Sequence, residues 1–336
     1  MKYFMLFLLI HSFISFAHVG EQHDEECLPP GLPSEEALLK SIMAPLALWT
    51  STGVQMQKAP CKTISAPSIE DMDDVIMANS QGEAQEKTIN GVTLKDDPRM
   101  LKMFERLTTN YQNPKNFQTL FSINPDCNQV ACAMTKIWGS KYAKQLSYLF
   151  LYFGFNSSEY SFPNATRFTE SEMNDILIAL KDFPRAMGPI GAGGNRQLTR
   201  YTRGKWDPDF RPGTFASSDV QVYDPWTKAS SWERQQTIFH EVAHMLTEKE
   251  ILDTSPEWLG LSGWKGSDDS TWTASKRNCM VGKYGSKNPY EDFAETAVAY
   301  RYNPSRLYKG CPEKYQYMKR FFKDAEYFGT ASCVDK

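Results

Sequence analysis

His240-Glu241-Val242-Ala243-His244 is the one place in this 336-residue chain where two imidazoles stand four residues apart. On a helix, residues at that spacing share a face one turn apart, so both rings can reach a single metal ion. Glu241 stands beside the first of them, where its carboxylate can take a proton from a water activated at that ion. The local sequence favours the helix. Ser230 and Glu233 have capping-box spacing, and Trp232, Phe239, Val242, Ala243 and Leu246 fall on or beside one apolar stripe. The five-residue pattern also turns up by chance on ordinary helices, where its histidines are core or surface residues. A count weighs against chance here: the chain has five histidines, and beyond His23 the only two are His240 and His244. The expected chemistry is peptide-bond hydrolysis assisted by one zinc ion per chain.

A catalytic zinc typically has three protein ligands and an open position. No histidine follows His244, so the third ligand must be a carboxylate or something weaker. Glu250 lies ten residues after His240, where another class of zinc peptidase places a third histidine. That arrangement needs a glycine at position 247 to turn the chain, and this sequence has Thr247. The segment Tyr284-Gly-Ser-Lys-Asn-Pro-Tyr-Glu291-Asp-Phe-Ala-Glu295 is better placed. Glu291 and Glu295 are four apart on an expected helix, so one can bind the metal while the other accepts a hydrogen bond from a liganding imidazole. Acids at a helix start ordinarily face solvent and favour the dipole. Phe293, Ala294, Ala297 and Val298 make these surroundings apolar instead.

Together, His240-Glu241-x-x-His244 and Tyr284-Gly-x-x-Asn-x-x-Glu291-x-Phe-Ala-Glu295 resemble the catalytic domain of the anthrax-toxin lethal-factor-type metallopeptidases, which are gluzincins. The resemblance implies His240, His244 and Glu291 as zinc ligands and Glu241 as general base. It also implies Tyr284 as a hydroxyl donor near the reacting carbonyl oxygen. Glu295 matches the acid that follows the third ligand by four, in a supporting role behind the ligands. The likeness covers residues 235–300 well and 165–310 loosely. Residues 18–150 match nothing in that family. The toxin's receptor-binding and substrate-exosite regions have no counterpart, so its substrate does not carry over.

The elements that must position these residues read as an α+β fold, mainly helical, with a small mixed sheet whose edge strand precedes the active-site helix in the zincin manner. Residues 1–17 read as a signal peptide. Lys2 supplies the positive start, Phe4 to Phe16 is mostly apolar, and Ser15-Phe16-Ala17 offers a cleavage site after Ala17. Residues 18–150 form an expected mostly helical region, a pro-segment or accessory domain, and residues 151–336 the metallopeptidase domain. Helices are expected at 34–49, 98–111, 133–152, 169–180, 289–300 and 311–327, and strand-like alternation at 197–202 and 219–223. Residues 62–97 are polar and read as a linker or surface loop with a turn at Asn90-Gly91. Residues 188–194 and 255–269 read as loops.

Seven cysteines, at 27, 61, 127, 132, 279, 311 and 333, follow the signal. In an oxidising compartment some should pair and at least one is left over. Cys127 and Cys132 are close enough to close a short loop, and Cys311 and Cys333 would tie down the C-terminal tail. No Cys-x-x-Cys occurs, which argues against a second, structural zinc site. The net charge of −3 gives no reason to expect nucleic acid or an anionic membrane as partner. The expected product is therefore an exported enzyme, with no stable membrane insertion after signal removal and a protein or peptide substrate. Its alternative is a zinc-containing binding or inhibitory protein that has lost turnover.

Overall fold

The computed structural model describes residues 65–108, 127–157, 165–181, 183, 196–201, 215–216, 220–250, 252–267 and 271–322. The signal segment, the helix expected at 34–49 and the glycine-rich run at 188–194 lie outside them. The described chain is mainly helical with small sheets of few strands, the α+β class expected.

Helix α1 (Ile69–Ala78), the hairpin β1 (Gln85–Ile89) and β2 (Val92–Asp96), and α2 (Pro98–Thr108) come first. Residues 65–97 are therefore not a linker. Their polar composition conceals a period-2 alternation in which Val92 and Leu94 are buried while Thr93 and Lys95 face out. Asn90 and Gly91 have φ of 50° and 82°, the left-handed geometry of a two-residue hairpin turn. Helices α3 (Val130–Trp138) and α4 (Ser140–Phe153) replace the single helix expected at 133–152, because Gly139 adopts φ 80° and breaks it. The expected Cys127–Cys132 disulfide is present and ties the residue ahead of α3 to the first turn of that helix. The 150/151 boundary falls inside α4, and buried apolar residues from Met72 to Phe322 form one continuous cluster.

Strands β3 (Phe155–Asn156) and β4 (Ala165–Thr166) precede α5 (Glu170–Lys181), which opens with the expected Thr169/Glu172 capping box. Strands β5 (Arg196–Tyr201), β6 (Phe215–Ala216) and β7 (Val220–Val222) complete the mixed sheet. β5 runs parallel to β3 and β7 and antiparallel to β4, and β6 pairs antiparallel with the far side of β7. The last strand before the histidine helix in sequence, β7, is thus internal, with Val220 and Val222 both buried. The edge on that side is β6.

Helix α6 (Asp224–Lys228) leads into α7 (Ser231–Glu250), which packs against α5, β6 and β7. Helix α8 (Pro256–Ser262), strands β8 (Trp264–Lys265) and β9 (Thr273–Ala274), and helices α9 (Pro289–Tyr302), α10 (Pro304–Gly310) and α11 (Pro312–Phe321) follow. The stretch 255–269 is not wholly irregular. The Ser255 hydroxyl caps α8 by accepting from Trp258 N at 3.2 Å, Pro256 occupies the first turn, and Gly263 ends the helix at φ 65°. The pairing of Cys311 with Cys333 is also corrected: Cys311 bonds to Cys279, with Cα atoms 4.9 Å apart, and Cys333 lies outside the described residues.

Candidate metal centre

Helix α7 is fixed at its start and along its back. Ser230 N donates to Glu233 Oε2 at 2.9 Å and Glu233 N to Ser230 Oγ at 3.3 Å, which completes the capping box. Arg234 Nε donates to Asp175 Oδ2 at 2.7 Å and ties the helix to α5. Ile238, Phe239, Val242 and Ala243 are buried, and Phe239 stacks on Phe183 with ring centroids 4.3 Å apart. With that face committed to the core, His240 and His244 point to the other side. The helix continues through Thr247, whose hydroxyl lies 2.9 Å from the His244 carbonyl oxygen and 2.5 Å from Asp253 Oδ2. A continuous helix rises about 1.5 Å per residue, so position 250 lies about 15 Å along the axis from His240. That placement removes Glu250 from the candidate ligands; its side chain lies outside the described residues.

Glu291 comes to the histidines on α9. Asn288 Oδ1 accepts from Glu291 N at 2.8 Å, Pro289 sits in the first turn, and Trp258 Nε1 donates to the Pro289 carbonyl at 3.2 Å. The next residue, Asp292, is wholly buried. It accepts from Ser262 Oγ at 2.7 Å, from Trp264 Nε1 at 2.9 Å and from the buried Lys314 ammonium on α11. Successive side chains on a helix point about 100° apart, so anchoring residue 292 sets the direction in which residue 291 points.

Three atoms converge as a result. His240 Nε2 and His244 Nε2 are 3.0 Å apart, Glu291 Oε2 lies 3.1 Å from the first, and it lies 3.3 Å from the second. Ligands at about 2.0–2.1 Å from a tetrahedral zinc lie about 3.3 Å from one another, so this triangle has nearly the size of one face of such a site. Two imidazole nitrogens and a carboxylate oxygen this close also require a proton or a cation between them. The donor set, two nitrogens and one oxygen, is one that zinc accepts. The residues present fit the ion.

Glu295, one turn beyond Glu291, places Oε1 at 2.9 Å from His240 Nδ1, on the far side of the ring. The carboxylate lies off the ring's N–H direction, so the contact is close without being an aligned hydrogen bond. A carboxylate on that side of the ring would favour the tautomer that leaves Nε2 free to ligate. Tyr284 lies in a 3-10 turn, Tyr284–Ser286, that packs against α9, with its ring centroid 5.8 Å from that of His240. A Cβ added at Gly285 would stand 3.4 Å from Glu295 Cβ, so the glycine lets this turn lie close to the helix. The Tyr284 phenol lies within electrostatic reach of Glu291 and of Glu241, which is itself buried.

The electrostatics are those of a site built around positive charge. Burial disfavours a charged His240, but the flanking Glu291 and Glu295 carboxylates outweigh it and hold the imidazole well above the ordinary histidine range. Burial likewise works against Glu291, and hydrogen bonds from both histidines overcome it and hold the carboxyl far below its usual range. For Glu295 burial wins and its carboxyl is raised. The Tyr284 phenol is raised well above normal by burial and by Glu291 and Glu241, so it stays protonated and available as a donor.

The structure therefore gathers His240, Glu241, His244, Tyr284, Glu291 and Glu295 at one place. Three further residues, Asp292, Asp253 and Lys287, were not singled out by the sequence. Asp292 depends on Lys314, 22 residues further on, and Asp253 on a contact with Thr247 across the end of α7 that no residue pattern announces. Lys287 stands three residues after Tyr284, a spacing that means something only once the segment is known to be a 3-10 turn. A separate cavity of about 620 Å³, lined by residues of β1 and α2 such as Lys87 and Leu101, shares no residue with this site. Comparisons with known protein families, curated proteins and solved structures give no significant match.

Proposed function

We propose that this protein is an exported zinc-dependent endopeptidase of the lethal-factor type. The observation that carries the reading is the triangle of His240 Nε2, His244 Nε2 and Glu291 Oε2, backed on its far side by Glu295. His240, His244 and Glu291 would hold a zinc ion, which would supply Lewis-acid polarisation of the scissile carbonyl and of the attacking water. Glu241, buried beside the first histidine, takes the proton from that water and later delivers it to the leaving amine. Tyr284 keeps its phenolic proton and donates a hydrogen bond to the oxygen on which negative charge develops. Glu295 favours the His240 tautomer that presents Nε2.

Export is supported by the signal-like start and by two disulfides, Cys127–Cys132 and Cys279–Cys311, which suit an oxidising compartment. Among the described residues no helix is long and apolar enough to cross a membrane. Proteome-wide cleavage profiling of the zinc-loaded protein against a Glu241→Ala control tests the reading. New protein termini generated by the wild type and absent from the control are expected. Identical profiles would leave a zinc-binding protein without turnover.

A further inference from the structure

Lys287 occupies a position that the shared motif leaves open, yet the fold brings its ammonium to the site. It closes the 3-10 turn that begins at Tyr284, with Lys287 N donating to the Tyr284 carbonyl at 3.2 Å. In a 3-10 turn the side chains at i and i+3 lie over one another, so the lysine stem folds onto the tyrosine ring. The ammonium accordingly stands 4.1 Å from the Tyr284 ring centroid, and that ring stands 5.8 Å from the ring of His240.

This cation is poorly compensated. Among the described residues no carboxylate lies within ion-pair distance of Lys287, and what marks this lysine is its seat over the Tyr284 ring beside the histidine helix. Burial of the ammonium lowers its pKa, and the Glu291 charge only partly offsets this. Glu291 is itself held by two imidazoles and has no spare charge to offer. The residue as a whole still reaches solvent, so an incoming group can meet it. Attraction to the ring face is modest at an exposed site, so the ammonium keeps donors with which an incoming carboxylate can replace water.

We infer that Lys287 is a specificity-determining residue that receives a carboxylate carried by the peptide substrate next to the scissile bond. The inference rests on the peptidase reading and names its substrate class. A peptide lying along the site advances about 3.3 Å per residue, so an ammonium stacked on the oxyanion-side tyrosine is in reach of the residues flanking the cleaved bond and not of distant ones. The carboxylate has two chemical sources, an acidic side chain or the C-terminus of a short peptide.

The test uses full-length zinc-loaded protein and a set of matched fluorogenic peptides. One arm exchanges Glu for Gln at each of the two residues on either side of the cleaved bond; the other exchanges a free C-terminal acid for its amide. Cleavage is read as kcat/KM, and binding of the same peptides is read on the Glu241→Gln variant by fluorescence anisotropy. Wild type is expected to favour the carboxylate-bearing member of one arm by about tenfold or more, the scale of one charge-assisted contact. Lys287→Met should bring that ratio close to one, Lys287→Glu should invert it, and Lys287→Arg should keep it. Equal rates on charged and neutral peptides in the wild type, or a preference that survives Lys287→Met, would overturn the inference while leaving the peptidase standing. Binding with the expected preference but no cleavage would instead remove the peptidase reading.

Discussion

Glu295 Oε1 stands 2.9 Å from Nδ1 of His240, and Glu291 Oε2 stands 3.1 Å from Nε2 of the same ring. One imidazole is thus held between two carboxylates four residues apart on α9, although their roles differ. Glu291 also reaches His244, whereas Glu295 is fully buried behind the ring and touches only its outer nitrogen.

From this follows an order of metal loss. Glu291→Ala should strip most of the zinc under competition with a chelator. Glu295→Gln should weaken it by about 10–100-fold, the usual cost of losing a partner behind a ligand. Glu250→Ala should leave it unchanged, because position 250 lies far along α7. A chelator titration of the three variants checks the order, and a metal-free Glu250→Ala protein would contradict it.

Tyr284 separates binding from chemistry. Its hydrogen bond to the oxyanion forms in the transition state, so Tyr284→Phe should keep zinc and KM while kcat falls by about 10²–10³-fold. A near-normal kcat would return the ring to a packing role.

Zinc binding should release protons, and the sign follows from the shifts. Without metal, His240 is held well above the ordinary histidine range, so at neutral pH it carries a proton that the ion must displace. Apparent zinc affinity should therefore rise with pH across neutrality and level off only above the raised folded value. The same proton stabilises the metal-free fold. That contribution is full below the ordinary histidine range and is lost as pH rises through the raised value. Calorimetry in buffers of different ionisation enthalpy measures the release; zero protons at neutral pH would contradict the site's electrostatics.

Helix α11 holds the second motif at two points. Cys311, at its start, is bonded to Cys279 ahead of the Tyr284 turn, and Lys314 is paired with Asp292 beside Glu291, both wholly buried. Lys314→Met leaves Asp292 charged and short of a partner, which should cost about 3–5 kcal/mol in denaturant unfolding. Asp292→Asn combined with Lys314→Met should cost less than Lys314→Met alone. Additive losses would mean that the pair is not the stabilising unit. Peptide mapping by mass spectrometry should recover Cys279–Cys311 and Cys127–Cys132; a Cys311–Cys333 peptide would contradict the fold.

Much of this was legible along the chain because local rules set it. The α7 capping box, the Asn90-Gly91 turn and the Cys127–Cys132 loop involve residues at most five apart, and four-residue spacing put Glu291 and Glu295 on one face. The hairpin at 85–96 was hidden by charged outward positions that dominate its composition. Gly139 broke a helix whose apolar pattern runs on across the break. Cys279–Cys311 spans 32 residues and is chosen by the fold, in which the turn and α11 flank α9. β7 became internal because β6 pairs beyond it, which no pattern within β7 announces.

The most direct measurement is zinc per chain and peptide cleavage on the same samples of wild type, Glu241→Gln and Glu291→Ala. Wild type should carry about one zinc and cleave. Glu241→Gln should carry the same zinc while its rate falls by about 10²–10⁴-fold, the range for a lost general base, and Glu291→Ala should lose both. A Glu241→Gln protein that cleaves like wild type, or a wild type that takes up no zinc, would contradict the zinc-peptidase reading outright.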